Sequence, residues 1–184
     1  MKKITVFCGS NAGNIEAYIK VTDQLARVLV EQGISLIYGA GKVGLMGRLA
    51  DGVLRRGGEV IGVIPEKLVR KEGVHKGISV LHIVKTMHER NALMAELCDG
   101  FIALPGGKIE EIIELFTWSQ AGDHNKACGL LNIDGYYDKR LAFMQVMTDD
   151  KFPKAKSEDM LIIEKNPVVM IQQMQEMELE HVVK

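Results

Sequence analysis

Apolar positions along this chain fall into two alternating rhythms. Short runs are nearly continuous in apolar residues. Ile4-Thr5-Val6-Phe7-Cys8 halts at Gly9, Ser35-Leu36-Ile37-Tyr38 at Gly39, and Val60-Ile61-Gly62-Val63-Ile64 at Pro65. Ile78 to Val84, Phe101 to Leu104, Gly129 to Ile133 and Leu161 to Ile163 follow. Runs apolar on both faces suit strands covered by helices on each side, which favours a parallel sheet. The longer segments between them carry helical spacing. Tyr18, Val21, Leu25, Val28 and Leu29 share one face, and Leu45, Leu49, Val53 and Leu54 another. Met87 to Cys98, Ile109 to Ala121, Tyr136 to Thr148 and Pro167 to Glu178 read as further helices, with Pro167 in a first turn that does not need its missing N–H. The succession predicts one α/β domain over residues 1–184, doubly wound around a mostly parallel sheet.

Composition narrows what such a domain can do. The 23 basic and 24 acidic residues leave a formal charge of −1, which argues against a nucleic-acid binder or a polybasic membrane anchor. No apolar run reaches the roughly 18 residues of a membrane span. Cys8, Cys98 and Cys128 form no C-x-x-C pair, and an odd count suits a reducing compartment. The two lysines at the start precede an interrupted strand rather than a leader, so a soluble, cytoplasmic protein is expected. His75, His82, His88, His124 and His181 lack metal-ligand spacing, and no metal site is expected.

Glycines gather where a doubly wound sheet binds ligands, beyond the carboxyl ends of its strands. Cys8-Gly9-Ser10-Asn11-Ala12-Gly13 ends the first strand, and Gly39-Ala40-Gly41-Lys42-Val43-Gly44-Leu45-Met46-Gly47 leads from the second into a helix. Glycines there admit a phosphate close to the backbone, and a helix start offers unpaired N–H groups. Gly39, Gly41 and Gly44 match G-x-G-x-x-G, a weak signal without an acidic residue to hold a ribose, with a plain strand-to-helix turn as the lesser alternative. A second candidate anion loop is Leu104-Pro105-Gly106-Gly107-Lys108, opening a helix with Glu110 and Glu111 in its first turn. Those acids could simply complement the helix dipole. Arg90, one turn into the helix that starts at Met87, is either a solvated arginine or an anion ligand. Cys8 reads as a small buried hydrophobe before a nucleophile, and Met46 and Met94 as core residues that could touch a base.

Together these motifs resemble the LONELY GUY family of cytokinin riboside 5′-monophosphate phosphoribohydrolases. The resemblance rests on Cys8-Gly9-Ser10, Tyr38-Gly39-Ala40-Gly41 through Gly44-Leu45-Met46-Gly47, Met87-His88-Glu89-Arg90, Asp99-Gly100-Phe101-Ile102, Leu104-Pro105-Gly106-Gly107, Glu110-Glu111 and Thr117-Trp118. It implies a Rossmann-like fold, a homodimer, and cleavage of the N-glycosidic bond of a nucleoside 5′-monophosphate without nicotinamide, pyridoxal phosphate or metal. By resemblance Glu111 is the catalytic carboxylate and Arg90 its catalytic companion. Gly9, Ser10, Gly39, Gly41, Gly44, Met46, Asn91, Gly106, Gly107, Lys108, Glu110 and Thr117 fall at substrate or phosphate positions. Thr117 could equally bond back to its own helix.

Two departures stand out. The family's P-G-G-x-G-T-x-x-E lacks its Gly-Thr pair here, since Lys108 runs directly into Ile109-Glu110-Glu111, and Asn91 replaces the lysine of M-H-x-R-K. The buried face of Ile112, Leu115, Phe116 and Trp118 fixes the helix register, so the shortening should fall on the loop and leave Glu111 in place. The shortened loop keeps open a second reading, a non-catalytic module binding a nucleotide or molybdenum cofactor.

Overall fold

The computed structural model describes residues 1–107, 109–151 and 161–182. In chain order the elements are β1 (Lys3–Phe7), α1 (Glu16–Glu31), β2 (Ser35–Tyr38), α2 (Gly44–Leu54), β3 (Val60–Pro65), α3 (Glu66–Glu72) and β4 (Val80–Val84). There follow α4 (Met87–Leu97), β5 (Gly100–Ala103), α5 (Ile109–Ala121), β6 (Ala127–Leu131), α6 (Asp138–Asp149), β7 (Leu161–Glu164) and α7 (Pro167–Val182). The strands form one sheet in the order β4-β3-β2-β1-β5-β6-β7, and every pairing among them is parallel.

Period-two alternation sorts each strand between two cores. Ile4, Val6, Leu36, Tyr38, Ile102 and Leu104 pack under α1, α2 and α7, against Leu25, Leu29, Leu49, Val53 and Met170. Phe7, Ile37, Phe101 and Ala103 face the other way, toward Met94 of α4 and Ile112, Leu115 and Phe116 of α5. Thr5 is buried on that second side because its hydroxyl donates to the Met94 carbonyl at 3.1 Å. Helices therefore cover both faces, and the near-continuous apolar runs follow from that.

Several elements differ from the sequence reading. Glu66–Glu72 is helical although its composition is largely charged; Pro65 supplies an extended entry. The fourth strand begins at Val80 rather than Ile78, and α6 at Asp138 rather than Tyr136, after a tight turn over Ile133–Gly135 with Asp134 at φ 53°. In α5, Ile112, Leu115 and Phe116 all pack within the chain. Among the described large apolar residues of that helix, only Ile113 is exposed. Exposed apolar side chains gather instead on α6, which buries none of its residues and leaves Phe143 63% exposed.

Candidate active site at the sheet's switch point

Strand order reverses between β1 and β5. The connection leaving β1 runs to one face of the sheet and that leaving β5 to the other, which opens a crevice beyond their carboxyl ends. Gly9 and Gly106 meet across it. A Cβ added at Gly106, where φ is +77°, would lie 3.0 Å from Gly9 Cα, so only glycine lets these two backbones approach.

α4 delivers two polar side chains to this region. Its start is fixed by Thr86, whose hydroxyl accepts from the Glu89 N–H at 3.1 Å, while the Glu89 carboxylate accepts from the Lys85 N–H at 2.9 Å. That near-reciprocal cap sets the register of the helix. Arg90 and Asn91 then point inward, each only 7% exposed. Arg90 Nη1 lies 3.4 Å from Glu111 Oε1, and Glu111 is 5% exposed. Asn91 Nδ2 donates to Glu114 Oε2 at 2.9 Å. Consecutive residues of α4 thus hold two carboxylates of α5 set three residues apart. Among the described residues, no hydrogen-bond partner reaches Arg90 Nε or Asn91 Oδ1.

Two clefts open here. The larger, about 410 Å³, is lined by Met87, His88, Asn91, Glu110, Glu111 and Glu114. The smaller, about 300 Å³, is walled by the segment Gly9 to Asn14 together with Tyr18, Leu45, Pro105, Gly106 and Tyr136. Among the described residues, no acidic side chain lines the smaller cleft, whose wall is rich in glycine. The larger cleft is the reverse, with three carboxylates and one histidine.

The structure brings Glu111, Glu110 and Asn91 to the larger cleft and Gly9, Ser10 and Gly106 to the smaller. Other expected phosphate ligands serve the scaffold. A Cβ at Gly39 would collide with Arg90 Nη2, so Gly39 makes room for the guanidinium. Gly41 is buried and bridges to Val74, and Met46 packs over it. Gly44, at φ +64°, sits where any side chain would strike the Ser10 backbone. The Met46 N–H donates to the Gly9 carbonyl at 3.2 Å, so one donor of the α2 start is already spent. Gly107 lies against the Phe7 carbonyl. Gly39, Gly41, Gly44, Met46 and Gly107 line neither cleft. Thr117 is exposed and donates to the Ile113 carbonyl at 2.8 Å, the back-bonding that its helical position allows. Met94 is wholly buried and cannot touch a base. Lys108 lies outside the described residues.

Sequence reasoning missed Glu114, His88, Tyr18 and Tyr136. Glu114 had a signal: it follows Glu110 by four residues and Glu111 by three, spacing that gathers all three on one side of a helix. Tyr18 had none, because it meets Tyr136 only through the fold, with ring centroids 5.8 Å apart.

Cys8 lies behind this site and is buried. Burial, with the neighbouring Glu111 carboxylate, pushes its thiol far above the usual range, and Arg90 opposes the shift only in part. A protonated, enclosed thiol is no nucleophile. Among the described residues, no group of three His, Cys, Asp or Glu side chains is arranged to hold a metal ion.

The family profile described as "Possible lysine decarboxylase" matches residues 46–174. A cytokinin riboside 5′-monophosphate phosphoribohydrolase of Arabidopsis thaliana is 41% identical over 182 residues, covering 98% of this chain and 85% of that protein. A probable enzyme of the same name from Oryza sativa subsp. japonica is 48% identical over 162 residues, 87% of this chain and 73% of its own. Among solved structures, the molybdenum cofactor carrier protein of Chlamydomonas reinhardtii superposes with a TM-score of 0.70 at 16% identity, over 97% of this chain and 98% of that one. The molybdenum cofactor binding protein of Rippkaea orientalis gives 0.67 at 19%, over 100% and 99%. At such identities these two speak for the fold only.

Proposed function

The chain belongs to the LONELY GUY family, and from that premise we propose that it hydrolyses the N-glycosidic bond of a purine nucleoside 5′-monophosphate, AMP or an N6-modified adenosine monophosphate, to free base and ribose 5-phosphate. The observation that carries this reading is Glu111: a carboxylate held by a buried arginine at the switch point, on the wall of a cleft.

Cleavage builds positive charge on the ribose ring, and a carboxylate beside the anomeric carbon stabilises it. Glu111 takes that place. As the bond from C1′ to the base nitrogen breaks, the oxygen of water bonds to C1′. One water proton stays on the new C1′ hydroxyl and the other passes to the Glu111 carboxylate. The departing base takes up one proton from solvent, and Glu111 releases its own to solvent, so water is consumed with no net change in protons. Arg90 stands behind Glu111 and lines neither cleft, so in this reading it is a positioning residue that fixes the carboxylate's orientation.

The 5′-phosphate belongs in the smaller cleft. The carboxylates of the larger cleft would repel a dianion at close range. The glycine-rich wall from Gly9 to Asn14 and Gly106 offers backbone donors, with no acidic side chain among the described lining residues. Base and sugar then extend toward Glu111. The sequence relatives are hydrolases by name, whereas the cofactor carriers share the fold alone, so the binding-module reading gains nothing from them. The deciding experiment incubates the protein with AMP and with isopentenyladenosine monophosphate and follows free base and ribose 5-phosphate. Absence of both products would overturn the reading. We further expect a cytoplasmic homodimer, with the apolar face of α6 as its leading contact surface.

A further inference from the structure

One residue lining the larger cleft, Asn91, carries an acceptor with no partner among the described residues. The polar lining of that cleft comprises His88, Asn91 and three carboxylates. These carboxylates are not arranged among the described residues to hold a metal ion. Such a wall suits a neutral group that donates hydrogen bonds. Asn91 is the most constrained part of it. The side chain is nine-tenths buried, its Nδ2 is committed to Glu114 Oε2 at 2.9 Å, and this fixes which end of the amide is which. Its Oδ1 has no partner among the described residues. A buried acceptor left unmade carries a standing cost that a ligand's donor removes.

Position says which donor. The carboxylate bound to Asn91 lies three residues after Glu111 on α5, about 4.5 Å along the helix axis. That is the scale of one sugar ring, measured from the group assigned to the anomeric carbon. The hydroxyl next to that carbon is the 2′-OH. We propose that Asn91 Oδ1 accepts from the ribose 2′-hydroxyl, so the site selects ribonucleotides over 2′-deoxyribonucleotides, with Glu114 as the positioning residue that holds the amide. The assignment rests on the phosphoribohydrolase reading for its reference point at Glu111. It gives Asn91 a role distinct from phosphate binding, because a neutral amide oxygen repels a phosphate and welcomes a hydroxyl. Hydrogen bonds to a sugar 2-OH also strengthen as the oxocarbenium ion forms, so the contact should act in turnover as well as in binding.

The test measures equilibrium binding of AMP and dAMP by calorimetry, and hydrolysis of both, for the wild type, Asn91→Leu and Asn91→Lys. Leucine removes both hydrogen bonds. Lysine keeps a donor for Glu114 and removes only the acceptor, so it covers the case in which the leucine variant fails to fold. The wild type should bind AMP about ten- to a hundredfold more tightly than dAMP. Each variant that folds should bring that ratio to within about threefold, chiefly by weakening AMP. Equal wild-type affinities, or a ratio that survives in Asn91→Lys, would overturn the proposal. Selective binding of AMP without cleavage would support it and overturn the hydrolase reading. Cleavage of AMP with equal affinity for dAMP would do the opposite, and failure to bind either nucleotide would overturn both.

Discussion

Gly39 lends Arg90 the space of its absent side chain. A Cβ there would overlap Nη2 of the guanidinium that pairs with Glu111. The neighbouring backbone is held as well, since Ala40 sits at φ 59° and its carbonyl accepts from the His75 N–H at 3.1 Å. The strand end therefore cannot retreat cheaply, and a larger residue must displace the arginine.

Gly39→Ala should accordingly cost about 1–3 kcal/mol of stability, the usual range for overpacking. For a chain of this length that is a fall of roughly 2–12 °C in Tm. Hydrolysis should fall at least about tenfold. In an Arg90→Ala background the same substitution should be nearly neutral, because the methyl enters vacated space. Calorimetric melting of the four proteins checks this; equal losses in both backgrounds would place the strain elsewhere.

Glu111 and Glu110 are neighbours with opposite exposures: Glu111 is buried against Arg90, whereas Glu110 is open to solvent. Glu111→Gln should reduce kcat by more than about a thousandfold with little change in AMP affinity, since its work is on transition-state charge. Glu110→Gln should cost less than about tenfold, as expected for a first-turn acid that offsets the helix dipole. Steady-state kinetics with a binding titration separates the two.

If the smaller cleft holds the 5′-phosphate, AMP should be cleaved at least about a hundredfold more efficiently than adenosine, measured as kcat/KM. Remote binding energy of this kind is expressed in turnover as well as in KM. Comparable values for the two substrates would remove the phosphate from the site.

Stability should fall in acid in two stages. Burial pulls the His124 imidazole below its ordinary range, with Lys126 adding to the effect while the Leu115 carbonyl and Asp123 oppose it. A folded-state pKa below the unfolded value of about 6.5 means protons bind the unfolded chain better. His124 thus contributes stability that is full above pH ~6.5 and fades as pH drops through its folded pKa. Burial would raise Asp99, but the backbone N–H groups of Lys2 and Lys3, the amino terminus and Lys126 bring it below the usual carboxylate range. Its contribution is present above pH ~4 and is lost below it. Urea midpoints between pH 8 and 3 should show both declines, and His124→Gln should flatten the first.

The apolar residues left bare on α6, Phe143 foremost with Val146 and Met147, form the surface from which we expect a two-fold contact. Light scattering at micromolar concentration should give twice the chain mass. Phe143→Asp should give a monomer; a wild-type monomer would refute the expectation.

Much of this architecture was legible in the sequence because sheet burial leaves a strong imprint. Leu36-Ile37-Tyr38 reads as apolar on both sides, and its side chains do divide between two helical layers. The glycines were legible as ligand-end markers but not in their roles. Gly39 and Gly44 look alike as text; one accommodates an arginine from α4 and the other a loop from β1, partners distant in the chain. Glu111 was legible through its motif, and the helix starting at Ile109 brings it to Arg90 despite the shortened loop. Asn91 registered as a departure from the family pattern at a substrate or phosphate position, without its partner. Its meaning depends on Glu114 across the interface between two helices, which no local spacing announces.

The contact between Gly9 and Gly106 also bears on timing. Two loops packed closely, backbone against backbone, give the smaller cleft a preformed floor. Phosphate capture should then proceed as a single encounter. In stopped-flow mixing, the observed rate should rise linearly with nucleotide concentration, without the plateau that marks a protein waiting to open.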